Sequence, residues 1–119
     1  MIFLGKSDLN ISNIIKIKDI SQIKDTKPDD IVQIDYDIKF MRYLSNNDID
    51  FIVKIQNIKE LLYSNAIKAN YILVDKSIAK KCQDIADNYM FDSKIIVLIC
   101  DDNQLENMAD IGIDGVLFE

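Results

Sequence analysis

Five aspartates stand just beyond short β-branched runs. They are Asp35 and Asp37 after Ile31-Val32-Gln33-Ile34, Asp75 after Tyr71-Ile72-Leu73-Val74, and Asp101 and Asp102 after Ile95-Ile96-Val97-Leu98-Ile99. Parallel α/β sheets bind ligands beyond the carboxyl ends of their strands, where loops converge and helix N-termini point. Carboxylates placed there can hold a hard divalent cation such as Mg²⁺, which takes oxygen ligands and needs only one or two from the protein. A carboxylate beside such a cation can serve as a phosphoryl acceptor or a base. Asp35, Asp37 and Asp75 are the candidate metal ligands, with Asp101 on the same edge. The competing expectation is structural, because Asp is a preferred N-cap and these are the positions where helices begin. In Asp75-Lys76-Ser77-Ile78 and Asp101-Asp102-Asn103-Gln104 a carboxylate oxygen can accept from an orphan backbone amide and complement the helix dipole.

These residues are positioned by runs recurring about every twenty residues. Ile31–Ile34, Phe51–Ile55, Tyr71–Val74, Ile95–Ile99 and Val116–Phe118 read as strands buried on both faces, as in a parallel sheet. Ile2–Leu4 and Ile14–Ile17 are two further strand candidates upstream, the second interrupted by Lys16. Between strands the period becomes helical. Ile58, Leu61, Leu62, Ala66 and Ala69 share one face; Ile78, Ala79, Cys82, Ile85, Ala86 and Tyr89 share another; Leu105, Met108 and Ala109 a third; and Ile38, Met41 and Leu44 a fourth. Strands alternating with helices imply right-handed βαβ crossovers. The expected fold is a single α/β domain, a three-layer α/β/α sandwich with a mainly parallel sheet of flavodoxin- or receiver-like βα repeats. Residues 1–30 contribute a strand and a short helix, and residues 31–119 the repeated units. A weak internal repeat lays Ile14–Asp35 over Ile52–Asp75 and over Val97–Phe118. Gly112 is expected to end the last helix and Gly115 to open the last strand.

Composition narrows the function classes. The 119 residues carry a net charge of −6, with 49% hydrophobic and 29% charged residues, as one globular domain does. There is no His, so a Ser-His-Asp or Cys-His nucleophile system and an imidazole zinc site within this chain are excluded. The acidic balance and the single arginine, Arg42, argue against nucleic acid, which is bound through clustered Lys and Arg. No run approaches the roughly 20 apolar residues of a membrane span. MIFLGKSDLN also lacks the apolar core of a signal peptide. No membrane partner is expected, and the expected location is the cytoplasm, with Cys82 and Cys100 as buried thiols in a reducing compartment. Gly5-Lys6-Ser7 lacks the upstream glycine of a P-loop.

Over residues 31 to 119 the chain resembles the response-regulator receiver domain. IVQIDYD resembles the first receiver strand with its acidic metal-binding turn, ANYILVD the third strand ending in the phosphoacceptor, SKIIVLICDDNQ the fourth strand and GIDGVLFE the fifth. The resemblance implies Asp35 as a metal ligand, Asp75 as phosphoacceptor, and Cys100 where the family has its switch Thr or Ser. Tyr36 replaces the second acidic residue of the turn, although Asp37 follows it. Glu119 stands where the family has a Lys that neutralises the phosphoryl group, and a carboxylate there repels it. The implied protein is a degenerate receiver that does not turn over phosphoryl groups. A second resemblance competes: MADIGIDGVLF is similar to a late helix-to-strand unit of phosphate-binding (β/α)₈ barrels, and FIVKIQNIKELLYSNAIKANYILVD to other units of such barrels.

The leading functional expectation is a non-catalytic domain that binds a protein partner or a second copy of itself, in signalling or regulation. Its motive is the apolar edge expected at Phe118, to be covered by the first thirty residues or by a partner. Phe40, Tyr43 and Phe118 are the interface candidates. The alternative is a small Mg²⁺-dependent or phosphate-binding enzyme using the acidic edge. No cofactor beyond an optional Mg²⁺ is expected.

Overall fold

Each β-branched run becomes a strand. The computed structural model describes residues 1–5 and 13–118; Lys6, Ser7 and Glu119, named above, lie outside them. The strands are β1 (Ile2–Leu4), β2 (Ile14–Lys16), β3 (Ile31–Asp35), β4 (Phe51–Lys54), β5 (Tyr71–Val74), β6 (Lys94–Ile99) and β7 (Gly115–Phe118). The helices are α1 (Ile38–Asn46), α2 (Ile58–Ala66), α3 (Ala79–Asn88) and α4 (Leu105–Asp110), and a 3-10 turn at Ile20–Asp25 joins β2 to β3.

All seven strands are parallel, in the order β1-β7-β6-β5-β4-β3-β2. From β2 to β7 every step goes to the next neighbour in the same direction. Right-handed crossovers repeated in one direction must leave their helices on one face. The buried residues agree: Phe40, Met41 and Leu44 of α1, Leu61 of α2, Ala79, Cys82 and Ala86 of α3 and Met108 of α4 all join one cluster with Val32, Val53, Ile72, Val97 and Val116. The opposite face forms a second cluster of strand residues alone, Leu4, Ile31, Ile52, Leu73, Ile96 and Leu117. Ile52 and Ile96 are 0% exposed although no helix among the described residues packs on them, as fits a sheet that curls over its own concave face.

The α/β class, the parallel sheet and the βα repeats are therefore as expected. The second helical layer of the expected three-layer sandwich does not form among the described residues: the helices cover one face, and the curl of the sheet takes the place of helices on the other. The order has no reversal point, unlike the 2-1-3-4-5 order of receiver folds, and its winding is that of the (β/α) barrels.

Gly115 permits the curl where β7 meets β1 and β6. A Cβ there would lie 2.7 Å from Ile2 Cβ and 2.8 Å from Ile96 Cδ1. β1 in turn covers the edge at Phe118, whose ring stacks on Phe3 with centroids 6.4 Å apart.

The repeat is carried by the helix ends. Each helix closes with a Schellman motif, two backbone bonds around one left-handed residue. Ile49, Ala69, Phe91 and Ile113 amides donate to the Leu44, Ser64, Ala86 and Met108 carbonyls, across Asp48, Lys68, Met90 and Gly112, all at positive φ. Gly112 (φ +74°) alone is the residue type that this conformation favours.

The helical stripes are shifted in every helix: in α2 Leu62, expected on the buried face, is 43% exposed and Ala66 is exposed while Ser64 is fully buried, and in α4 Ala109 is exposed. In α1 Phe40 is buried at 7% while Ile38 is 39% exposed, because the Asp37 cap places Ile38 in the first turn, outside the contact with the sheet. Tyr89 is 73% exposed because it is the C-cap of α3, where the chain leaves the helix. Gln83 takes the buried position instead.

Candidate functional site at the carboxyl mouth of the sheet

The carboxyl ends of the strands form a polar mouth above the apolar concave cluster. Side chains alternate between faces along a strand, so Gln33 and Asp35 of β3 follow Ile31 on the concave side, and Lys54 of β4 follows Ile52. Asp35 and Lys54 are register partners across the β3/β4 ladder, and Lys16 of β2 is the register partner of Gln33. Beside them is a half-open depression of about 350 Å³ lined by Asp35, Tyr36, Lys54, Gln56 and Glu60.

Most of the predicted acidic residues are committed to backbone amides. Asp37 caps α1 by accepting from the Phe40 amide at 3.1 Å. Asp75 accepts from the Ser77 amide at 2.9 Å and the Ser77 hydroxyl at 2.5 Å. These bonds hold its carboxyl below the usual carboxylate range, with a smaller contribution from the charges of Lys76 and Lys54. Asp101 accepts from the Asn103 amide at 2.9 Å, and Asp102 lies in the 3-10 turn that follows. Among the described residues no three or more His, Cys, Asp and Glu side chains are grouped as a metal ion would require. The Asp35, Asp37 and Asp75 carboxylates are thus not brought together as one ligand set.

Asp35 is different. It is exposed, caps no helix, and makes no side-chain hydrogen bond among the described residues. Lys54 is exposed too, and it has no ion-pair partner within 4.0 Å among the described residues, although Asp35 is its neighbour in register. Glu60 accepts from the Gln56 amide at 2.9 Å, and Asn57 caps α2 through the Glu60 amide at 2.9 Å, which fixes the loop that frames the depression. The Tyr36 hydroxyl is buried with no hydrogen-bond partner. Burial first, then the nearby Glu60 and Tyr63, push its phenol above the usual value. A buried donor left unmade is costly, and natural proteins retain few of them.

The remaining expected residues are spread through the fold. Cys100 is exposed at the end of β6, its amide donating to Gln104 Oε1 at 2.8 Å, whereas Cys82 is buried and its thiol is pushed up by that burial. The expectation of two buried thiols therefore holds for Cys82 only, since β6 ends at Ile99 and Cys100 begins the loop. Phe40 belongs to the core, and Tyr43 and Phe118 are partly buried against it.

Lys54, Gln56 and Glu60 were not singled out from the sequence, and Tyr36 was named there only as standing where the receiver turn has its second acidic residue. The available signal was Lys54, a charge at an inward position of the run Phe51–Ile55, where alternation otherwise demands an apolar residue.

No protein-family model matches the chain, and no curated protein matches it. No helix among the described residues is long and apolar enough to cross a membrane.

Proposed function

We propose that this chain is a binding domain for a small polar molecule, seated at the Asp35–Lys54 corner of the carboxyl mouth. The observation that carries this reading is that two opposite charges line one depression, are neighbours in register, and do not pair with each other. Neighbouring charges on one sheet face ordinarily stabilise it by pairing. Here both groups stay available, in a depression whose edge is framed by the Gln56–Glu60 loop. The location agrees with the general rule for parallel α/β folds, in which conserved scaffolds carry ligands beyond the carboxyl ends.

The test is an amide NMR titration with inorganic phosphate, methylammonium and L-alanine as probes. Saturable shifts at Asp35, Tyr36, Lys54, Gln56 and Glu60 with at least one probe support the reading. No shift there with any probe up to about 20 mM, well beyond a millimolar dissociation constant, overturns it.

A receiver-type or Mg²⁺-dependent site is less well supported, because Asp37, Asp75 and Asp101 already serve as caps. Mg²⁺-induced shifts converging on Asp35, Asp75 and Cys100 would restore it. Association with a protein partner or a second copy is the second reading, favoured by one observation: among the described residues β1 and β2 are the two outer strands of the sheet. Unpaired strand edges are templates for added strands. The original motive for it, the apolar edge at Phe118, is met within the chain by Phe3 of β1. A monomer at high concentration in light scattering counts against self-association.

A further inference from the structure

We infer that the ligand of this corner is a small zwitterion of the α-amino-acid class, carrying an ammonium and a carboxylate on one carbon. The inference rests on the binding reading above and deepens it. Its basis is the charge pattern around the depression. Asp35 and Lys54 present opposite charges from adjacent strands, whose backbones in any sheet are about 4.8 Å apart. A ligand with both charges can satisfy both side chains at once, its ammonium on the Asp35 carboxylate and its carboxylate on the Lys54 ammonium.

Ligands of a single charge fare worse on either side. A simple anion approaching Lys54 meets the Asp35 and Glu60 carboxylates in the same depression, and Asp75 close enough to feel Lys54. A simple cation approaching Asp35 is drawn by Glu60 as well, but it meets the Lys54 ammonium on the adjacent strand and leaves that charge without a partner. Like charges set side by side at a binding surface are strongly disfavoured. The volume, about 350 Å³, lies at the small end of the range for ligand pockets and suits a molecule of amino-acid size. Asp35 and Lys54 are exposed, and their side chains make no hydrogen bond or ion pair among the described residues, so both can be altered with little cost to the fold.

The experiment compares L-alanine with L-alaninamide, which keeps only the positive charge, and N-acetyl-L-alanine, which keeps only the negative one. Amide shifts of Asp35, Tyr36, Lys54, Gln56 and Glu60 report binding. L-Alanine is expected to bind at least about tenfold more tightly than either blocked form, the scale of one charged hydrogen bond. Lys54→Met should abolish its advantage over L-alaninamide, and Asp35→Asn its advantage over N-acetyl-L-alanine. Equal or tighter binding of either blocked form at this corner overturns the zwitterion inference and leaves the binding site standing. Shifts from methylammonium or phosphate with none from L-alanine do the same. No shift from any of the five probes overturns both.

Discussion

The two ends of the sheet spend their polar groups differently. At the amino ends, side chains just before the strands tie neighbouring elements together. Asp114 is a junction: its carbonyl accepts from the Ile2 amide at 2.8 Å, its carboxylate from the Ile95 amide at 2.9 Å, and its own amide donates to Gln83 Oε1 at 2.9 Å. Buried Gln83 passes the connection on to Asp87 at 2.9 Å. One strand over, Asn70 Oδ1 accepts from the Phe51 amide at 3.0 Å and its Nδ2 donates to Asp50 at 3.2 Å. Ser93 closes the gap between them with a bond of 2.5 Å to the Ala69 carbonyl. At the carboxyl ends the bonds are local caps, and among the described residues the two charges in register across β3 and β4 are unpaired, beside a phenol without a hydrogen-bond partner. The difference teaches that stability is built at one end while the other keeps groups available, the division of labour general to parallel α/β barrels.

Substitutions should therefore separate into stability effects and binding effects. The largest loss is expected in the concave lining, where Gly115→Ala forces a methyl group against Ile2 and Ile96; denaturant unfolding should show a loss of about 3 kcal/mol, the upper part of the overpacking range. Asp114→Ala at the amino end should cost about 2 kcal/mol in the same assay, since it strips the Ile95 amide of its partner. A cost below about 0.5 kcal/mol would erase the contrast between the two ends.

At the carboxyl mouth the sign reverses. Tyr36→Phe removes a buried hydroxyl without a partner and should raise stability by about 1 kcal/mol. A loss of stability instead would mean that the hydroxyl is satisfied in solution. Asp75 tests the cap by pH. Its carboxyl is depressed in the folded state, so its contribution is complete above the unfolded value of about 3.9 and is lost as pH falls through the folded value. Asp75→Asn should accordingly flatten the acid limb of the stability profile below about pH 4 and leave the neutral range parallel. The smallest stability effect is expected at Lys54→Met and Asp35→Asn, within about 0.5 kcal/mol of the parent chain, accompanied by loss of probe binding.

How legible all this was depends on what encodes it. The strands were readable because each is a β-branched run buried on both faces, and even the interrupted Ile14–Ile17 run forms β2. The caps were readable in Asp37, Asp75 and Asp101 because short-range side-chain chemistry lies within three residues of its partner. Strand order was not, since it depends on the direction of each crossover and on where Gly115 allows β7 to meet β1. Without the order, Asp35 looked like one of five equivalent carboxylates, and its register with Lys54 was invisible. Phe40 and Ile38 show the same limit at smaller scale: a one-residue choice of helix start decides which of two large apolar residues enters the core.

The most direct test of the central claim is the amide map of the intact chain titrated with L-alanine. Shifts that saturate and are confined to Asp35, Tyr36, Lys54, Gln56 and Glu60 are the expected result. Shifts centred instead on the exposed pair Tyr89 and Met90, 73% and 86% exposed at the end of α3, or no shifts at all, would contradict a binding site at the carboxyl mouth.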